Sequence, residues 1–288
     1  LPNNAVHRDI VRTQLLISKL LDEYFDPQIP VHAEQRHVMA MLVESKQQAT
    51  EVRARLDNGE SFTELAEELS LEFYSKANEG DFGWIPKDVL HELLGTSIVD
   101  NIFSAEVGVL SRPIHDNVIS KGLGYWLVRV LDRNEEEEET HLQVMLLSSE
   151  EEAKDITARL EAGEDFATLA KDFSQLEGVR ENEGEYMVSP SMMSPAVEEF
   201  AFDPEVGLET ISEPILDETI TTKGGYWLIK VVAEDKNREI ENEDRDLLKS
   251  KALDEWVTAL WLDPENKVDD TYLDEAQKAW AIEQAMKP

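Results

Sequence analysis

The chain has 288 residues, 41% of them hydrophobic, and its 62 acidic and 27 basic side chains leave a formal net charge of −35. This apolar content is typical of globular domains, and the negative field repels nucleic-acid phosphates and anionic membrane surfaces. The chain contains no cysteine, which excludes disulfides, thiolate catalysis and zinc sites with Cys ligands. The negative charge favours binding partners that are basic or neutral.

The first predicted element is an amphipathic helix. The stretch HRDIVRTQLLISKLLDEYF at residues 7–25 places apolar side chains three and four positions apart. It has too little apolar surface to fold comfortably alone. We therefore expect residues 1–32 to pack on another helical part of the chain.

The next hundred residues predict a mixed domain. MAMLVES at 39–45 reads as a strand, and a helical segment that follows ends at Asn58-Gly59. Ser61 is placed to cap a second helix. A loop over 71–84 precedes a short helix, and GYWLVRV at 124–130 reads as a closing strand. This order of elements favours an α+β fold with a small antiparallel sheet.

The same order of elements then returns. NGESFTELAEELS at 58–70 matches AGEDFATLAKDFS at 162–174, and GYWLVRV returns as GYWLIKV at 225–231. A tandem duplication of a unit near the common domain size explains both matches. We expect one domain at 33–133 and a second at 140–234, with an acidic, solvated linker at 134–139.

The C-terminal part predicts further helices, interrupted at WLDPEN. Trp256, Trp261 and Trp280 lie among its apolar residues. We expect residues 235–288 to pack with the N-terminal helix as a discontinuous helical domain.

The first copy resembles the parvulin peptidyl-prolyl isomerases. The resemblance is carried by MLVESKQQATEVRARLDNGESFTELAEELSLEFYSKANEGDFGWIP, by the later EVG bend and by the closing GYW strand. The second copy shares the helices, bend and closing strand, but has EGEYMV where the first has GDFGWI. Two such domains between helical ends resemble the extracytoplasmic foldases and chaperones of the SurA and PrsA type.

The resemblance also implies the surroundings of the protein. The implied partners are unfolded or partly folded polypeptide clients, and the implied location is extracytoplasmic, with any membrane attachment through an anchor outside this chain. No cofactor is predicted. The chain has no Gly-rich phosphate loop, and its six histidines do not fall at metal-ligand spacings.

Parvulins place two histidines side by side in the sheet beneath the prolyl site. Aligned on the family, the closing-strand position is Trp126 in the first copy and Trp227 in the second, and the first-strand position is Ala40 and Val144. All four family histidines are therefore absent. His37 lies three residues before Ala40, so it should point to the opposite face of the strand.

The acidic or thiol position of the family falls on Glu72 in the first copy and on Leu176 in the second. Glu72 is therefore the candidate catalytic residue, although a surface carboxylate is an equally good interpretation. The family's proline-pocket positions fall on Leu94, Ile98 and Phe103, and on Met193, Val197 and Phe202.

Together with Ala40, Val144 and the two tryptophans, these positions form the predicted peptide-binding set. We expect Leu94 and Ile98 to share a pocket with Trp126, and Met193 and Val197 to share one with Trp227.

These residues favour a foldase-like chaperone that binds unfolded or Pro-containing polypeptides through degenerate isomerase sites. An active prolyl isomerase, working mainly through the first copy, is the alternative, because the family is enzymatic and Glu72 remains. A structural spacer in an envelope assembly is the second alternative.

Overall fold

The computed structural model describes residues 5–134 and 139–266, with side chains from residue 8. The described residues form two compact units. One combines the described parts of 1–33 and 239–288, and the other is Glu34–Arg238. No helix in these ranges is long and apolar enough to span a membrane.

The first unit joins the two ends of the chain. Helix α1 (Ala5–Lys19) continues through a π-helical turn at Leu20–Phe25, and helix α11 covers Asn242–Leu262. Phe25 is buried and packs edge-on against Trp256, with 6.2 Å between ring centroids. Arg245 donates to the Pro30 carbonyl at 2.7 Å. Trp280, named above, lies outside the described residues.

The second unit contains both copies of the repeat. Its strands and helices in the first copy are β1 (His32–Val43), α2 (Lys46–Asp57), α3 (Phe62–Leu69), α4 (Phe73–Ala77), β2 (Asp81–Pro86), α5 (Lys87–Leu93), α6 (Thr96–Ser104), β3 (Ile114–Lys121) and β4 (Gly124–Asn134). Those of the second copy are β5 (Glu139–Leu147), α7 (Glu150–Glu161), α8 (Phe166–Phe173), α9 (Glu177–Glu181), β6 (Glu185–Val188), α10 (Pro195–Ala201), β7 (Ile215–Asp217) and β8 (Thr222–Glu239).

Local sequence accounts for the helix starts. Ser45, Ser61 and Asp165 each accept a backbone N–H three residues on, at the N-termini of α2, α3 and α8. Such caps satisfy N–H groups that have no partner within the helix. Helices and two antiparallel four-stranded sheets confirm the α+β class.

The two copies exchange their closing strands. Sheet A has the order β2-β1-β8-β3, so the closing strand of the second copy lies between two strands of the first. Sheet B has the order β6-β5-β4-β7, so the closing strand of the first copy lies between two strands of the second. Sheet B is thus built from one continuous segment, 124–217, inserted between β3 and β8.

The exchange adds a feature that the repeat did not predict, while the predicted domain boundaries stay a prediction. The boundaries at 33–133 and 140–234 follow the duplication, whereas each sheet takes one strand from the other copy. The predicted linker at 134–139 is also shorter, because Asn134 pairs with Glu139 in the β4–β5 ladder. Strand β8 runs to Glu239, so the segment predicted as helical from residue 235 begins as a strand.

The two copies of the repeat cross over where the closing strands begin. Lys121 at the end of β3 pairs with Thr222 at the start of β8. A Cβ at Gly124 would lie 2.7 Å from the Thr222 methyl carbon, and one at Gly225 would lie 2.9 Å from the Val43 carbonyl oxygen. The glycine that precedes each Tyr-Trp pair therefore permits this close approach.

Candidate functional site

The closing-strand tryptophan in sheet A is held by an aspartate. Trp227 is fully buried, and its indole Nε1 donates to Asp116 Oδ2 at 3.1 Å. The other oxygen of Asp116 accepts the backbone N–H groups of Val118 and Ile119. Because Asp116 belongs to the first copy and Trp227 to the second, this pair exists only through the strand exchange.

Sheet B repeats the arrangement with the roles of the copies reversed. Trp126 Nε1 donates to Asp217 Oδ2 at 2.9 Å, and Thr219 donates to Oδ1 of the same carboxylate. Burial raises the pKa of Asp217, but hydrogen bonds, among them those from Thr219 and Trp126, outweigh it and leave the pKa below its usual value of 3.8. Asp217 is therefore an ionised acceptor at neutral pH.

The sequence analysis missed these two aspartates. A signal was present, because the copies carry Pro-Ile-His-Asp at 113–116 and Pro-Ile-Leu-Asp at 214–217. A polar residue that recurs at the same place in both copies, just before the exchanged strand, indicates a shared partner. That partner is the indole N–H of the closing strand.

The predicted pockets were paired with the wrong tryptophans. Trp126 belongs to the core cluster that contains Val144 and Val197, and Met193 and Phe202 pack against that cluster. Trp227 instead lies in sheet A, with Phe82 of the first copy 6.4 Å away between ring centroids. The strand exchange is the reason, since it moves each tryptophan into the other copy's sheet.

Most of the predicted peptide-binding set is core. The side chains that are nearly or fully buried are Ala40, Leu94, Ile98, Trp126, Val144, Val197 and Trp227. They can shape a pocket from beneath but cannot touch a client unless the core opens. Phe103, Met193 and Phe202 are half-buried and therefore accessible. The binding role of the whole set stays a prediction.

Glu72 has a structural use for both of its oxygens. One accepts the Tyr74 N–H at 2.9 Å and the other accepts the Ser75 N–H at 2.6 Å, so the carboxylate caps helix α4. A negative charge at this helix start is favourable. His37 contacts Asp81 through Nε2 at 2.8 Å and lies against the Trp84 ring. The catalytic role of Glu72 stays a prediction.

An aromatic surface lies beside Glu72. Phe73 is 87% exposed and Tyr74 is 47% exposed, both on α4. The Tyr74 ring packs at a tilt against Phe82 with 5.1 Å between centroids, and Phe82 contacts Trp227 in turn. This series of rings connects solvent to the buried tryptophan. The second copy has Glu177 and Gly178 in place of the exposed pair, so the surface is specific to the first copy.

A sizeable cleft in the described part of the second unit lies elsewhere. Its volume is about 830 Å³, neither closing-strand tryptophan lines it, and its lining mixes five acidic residues with Lys46, Arg159 and Lys223. The acidic lining residues are Glu44, Glu151, Glu152, Asp155 and Glu164, and the stacked His115 and Tyr226 form another part of the wall.

The fold therefore contains two α+β domains of one kind in tandem. Each has a small antiparallel sheet covered by helices and a tryptophan at the closing-strand position. Residues 26–134 and residues 137–233 each match the family described as the PPIC-type PPIASE domain. The chain belongs to this parvulin family and carries two of its domains in tandem.

Relatives agree with that assignment. The foldase protein PrsA of Geobacillus kaustophilus is 31% identical over 135 residues, which cover 44% of this chain and 43% of the relative. A parvulin-like PPIase of Rickettsia conorii is 29% identical over 122 residues, 40% of this chain and 41% of the relative. The crystal structure of PrsA from Bacillus subtilis is 24% identical over 37% of this chain and 44% of that chain, with a TM-score of 0.26. The chain thus spans less than half the length of each of these relatives.

Proposed function

We propose that this chain is a parvulin-type foldase of the cell envelope that acts as a chaperone. It binds unfolded or Pro-containing polypeptides and has little prolyl isomerase activity. Its two parvulin domains and relatives that are named foldase protein PrsA support the class of function. The same relatives support a location outside the cytoplasm.

The observation that carries the proposal is the pair of hydrogen bonds between the closing-strand tryptophans and buried aspartates. An X-Pro isomerase must stabilise a twisted amide on a barrier of roughly 18–20 kcal/mol. At the family's histidine positions, this chain places indoles whose N–H groups are already bound to Asp116 and Asp217. Neither indole has a second polar hydrogen to offer a substrate.

Binding has a better physical basis than catalysis. Phe73 and Tyr74 expose aromatic area beside a half-buried carboxylate, and the chain is strongly acidic. Fully burying one such ring against a client contributes about 2 kcal/mol. Surfaces of this kind bind extended, apolar peptide segments. The net charge of −35 favours segments that also carry Lys or Arg.

An active isomerase remains the second candidate, through Glu72 in the first copy. It requires the carboxylate to leave the Tyr74 and Ser75 N–H groups, which would then lose their acceptor. The cost of leaving such groups without a partner is about 1–3 kcal/mol each when they are buried.

The test compares two activities of the whole chain. Prolyl isomerisation is measured by NMR exchange on a Pro-containing peptide, and chaperone activity by suppression of aggregation of an unfolded client. We expect strong suppression with isomerisation close to the uncatalysed rate. Phe73→Ala combined with Tyr74→Ala should weaken suppression, whereas Leu208→Ala, at an exposed apolar residue elsewhere, should not. Rapid isomerisation that Glu72→Gln abolishes would favour the enzyme instead.

A further inference from the structure

The two closing strands begin with the same apolar pattern, yet each occupies only the other copy's sheet. Strand β4 begins GYWLVRV and strand β8 begins GYWLIKV. Hydrophobic burial alone gives almost no preference for one placement, since Val128 and Ile229 differ by a single methylene. The difference that matters lies further along, where Arg133 of β4 aligns with Glu234 of β8.

Glu234 meets an arginine in sheet A. Arg36 on β1 is only 6% exposed, and its guanidinium pairs with Glu234 and, at 3.1 Å, with Glu34. Arg36 also donates to the carbonyl of Phe103, in the last turn of α6, at 3.2 Å. A nearly buried guanidinium requires such partners, because an unpaired buried charge is strongly destabilising.

Arg133 meets carbonyls in sheet B. It donates to the backbone oxygens of Ala201, Asp203 and Val206, at distances between 2.7 and 3.3 Å. Its cross-strand neighbour is Thr140, the residue that aligns with Arg36. Both sheets therefore use one arginine to bind carbonyl groups at the C-terminal end of α6 or α10, but the arginine comes from the first strand in sheet A and from the closing strand in sheet B.

Pairing within each copy would break both arrangements. Strand β4 in sheet A would set Arg133 beside Arg36, two like charges at neighbouring cross-strand positions. Strand β8 in sheet B would aim the Glu234 carboxylate at three carbonyl oxygens, which can only accept hydrogen bonds. The exchanged pairing avoids both conflicts.

We propose that residues 133 and 234 direct the strand exchange. The gap between β1 and β3 is an interaction surface for a closing strand that carries an acidic side chain at position 234. The gap between β5 and β7 accepts the closing strand that carries Arg133. The occupant is the other copy of the same chain, because only residues 135–138 separate β4 from β5 and adjacent antiparallel strands are readily joined by a short connection.

The absence of cysteine makes the pairing measurable in the full chain. His115 pairs with Tyr226 across β3 and β8, so His115→Cys with Tyr226→Cys forms a disulfide only if the strands are exchanged. His115→Cys with Tyr125→Cys reports the pairing within a copy, because Tyr125 aligns with Tyr226. After cleavage at a protease site placed in 135–138, the first disulfide holds the two fragments together and the second does not.

In the otherwise unchanged chain, we expect the 115–226 disulfide to form and the 115–125 disulfide not to. Arg133→Glu with Glu234→Arg exchanges the charged residues of the two closing strands. It should shift the ratio of the 115–226 and 115–125 disulfide yields toward 115–125 by about tenfold or more. The linker is untouched, so an unchanged ratio would show that connection length, not charge, directs the strands. Disulfides between chains would overturn the assignment of the partner to the same chain.

A milder pair of substitutions guards against failure to fold. Arg133→Gln with Glu234→Gln removes both charges and keeps both side chains polar, and it should bring the two disulfide yields closer together. The near-ultraviolet circular dichroism of the buried indoles verifies folding. A folded Gln variant that still forms only the 115–226 disulfide overturns the proposal.

Discussion

Two fragments of similar length test whether the closing strand determines domain stability. Residues 124–217 contain all four strands of sheet B, while residues 139–238 follow the sequence repeat and offer β8 in place of β4. We expect 124–217 to fold alone and 139–238 to be marginal. The physical reason is the replacement of Arg133 by Glu234 beside the carbonyls of Ala201, Asp203 and Val206.

The size of the difference follows from the contacts. Charged hydrogen bonds contribute about 1.5–3 kcal/mol each, and the bonds of one guanidinium are not additive. Losing the Arg133 hydrogen bonds and placing the Glu234 carboxylate against the same carbonyls should therefore together cost about 3–5 kcal/mol of unfolding free energy. That is a large share of the roughly 5–15 kcal/mol of a small domain.

Urea unfolding measures this difference by tryptophan fluorescence, because each fragment contains a single tryptophan, Trp126 or Trp227. The expected fall in midpoint is on the order of 2 M urea. Within 124–217, Arg133→Met should remove most of the advantage, whereas Lys154→Met, at an exposed helix pair, should change little. Equal midpoints for the two fragments would refute the reasoning.

Three further predictions concern the sites and the charge. Ala40→His with Trp227→His should raise prolyl isomerisation above that of the unmodified chain, because the exchange puts residues 40 and 227 in one sheet. Ala40→His with Trp126→His should not raise it, and equal gains for the two variants would contradict the topology. Burial lowers the pKa of Lys121 to about 8, so the unfolded chain binds more protons above that pH and stability should rise by about 2 kcal/mol from pH 8 to pH 10. In urea titrations, Lys121→Met should abolish the rise of stability with pH, and Lys223→Met, on the exposed side of β8, should retain it. If the rise persists in Lys121→Met, another group causes it. Basic, unfolded peptides should bind more weakly in calorimetry as salt increases from about 0.05 M to 0.5 M, since exposed charges are screened beyond about 10 Å at 0.1 M, and neutral analogues should show no such trend; identical salt responses would argue against a role for the acidic surface.

Much of the architecture follows from the sequence alone. The duplication, the α+β class and the positions of the helices are local properties, carried by apolar spacing, capping residues and turn glycines within a few residues of each other. The replacement of the family's histidines by Trp126 and Trp227 is also visible in the sequence. These features do not depend on which strand lies beside which.

Strand pairing, and with it the composition of each site, was decided only by the tertiary structure. The closing strands share one apolar pattern and one register, so either fits either sheet as far as local sequence shows. What separates the placements is long-range: Glu234 beside a nearly buried Arg36, Arg133 among three carbonyls, and an aspartate of one copy on the indole of the other. Glu72 became a helix cap for a local reason instead, because its two acceptor oxygens meet N–H groups two and three residues on that the α4 start leaves without partners.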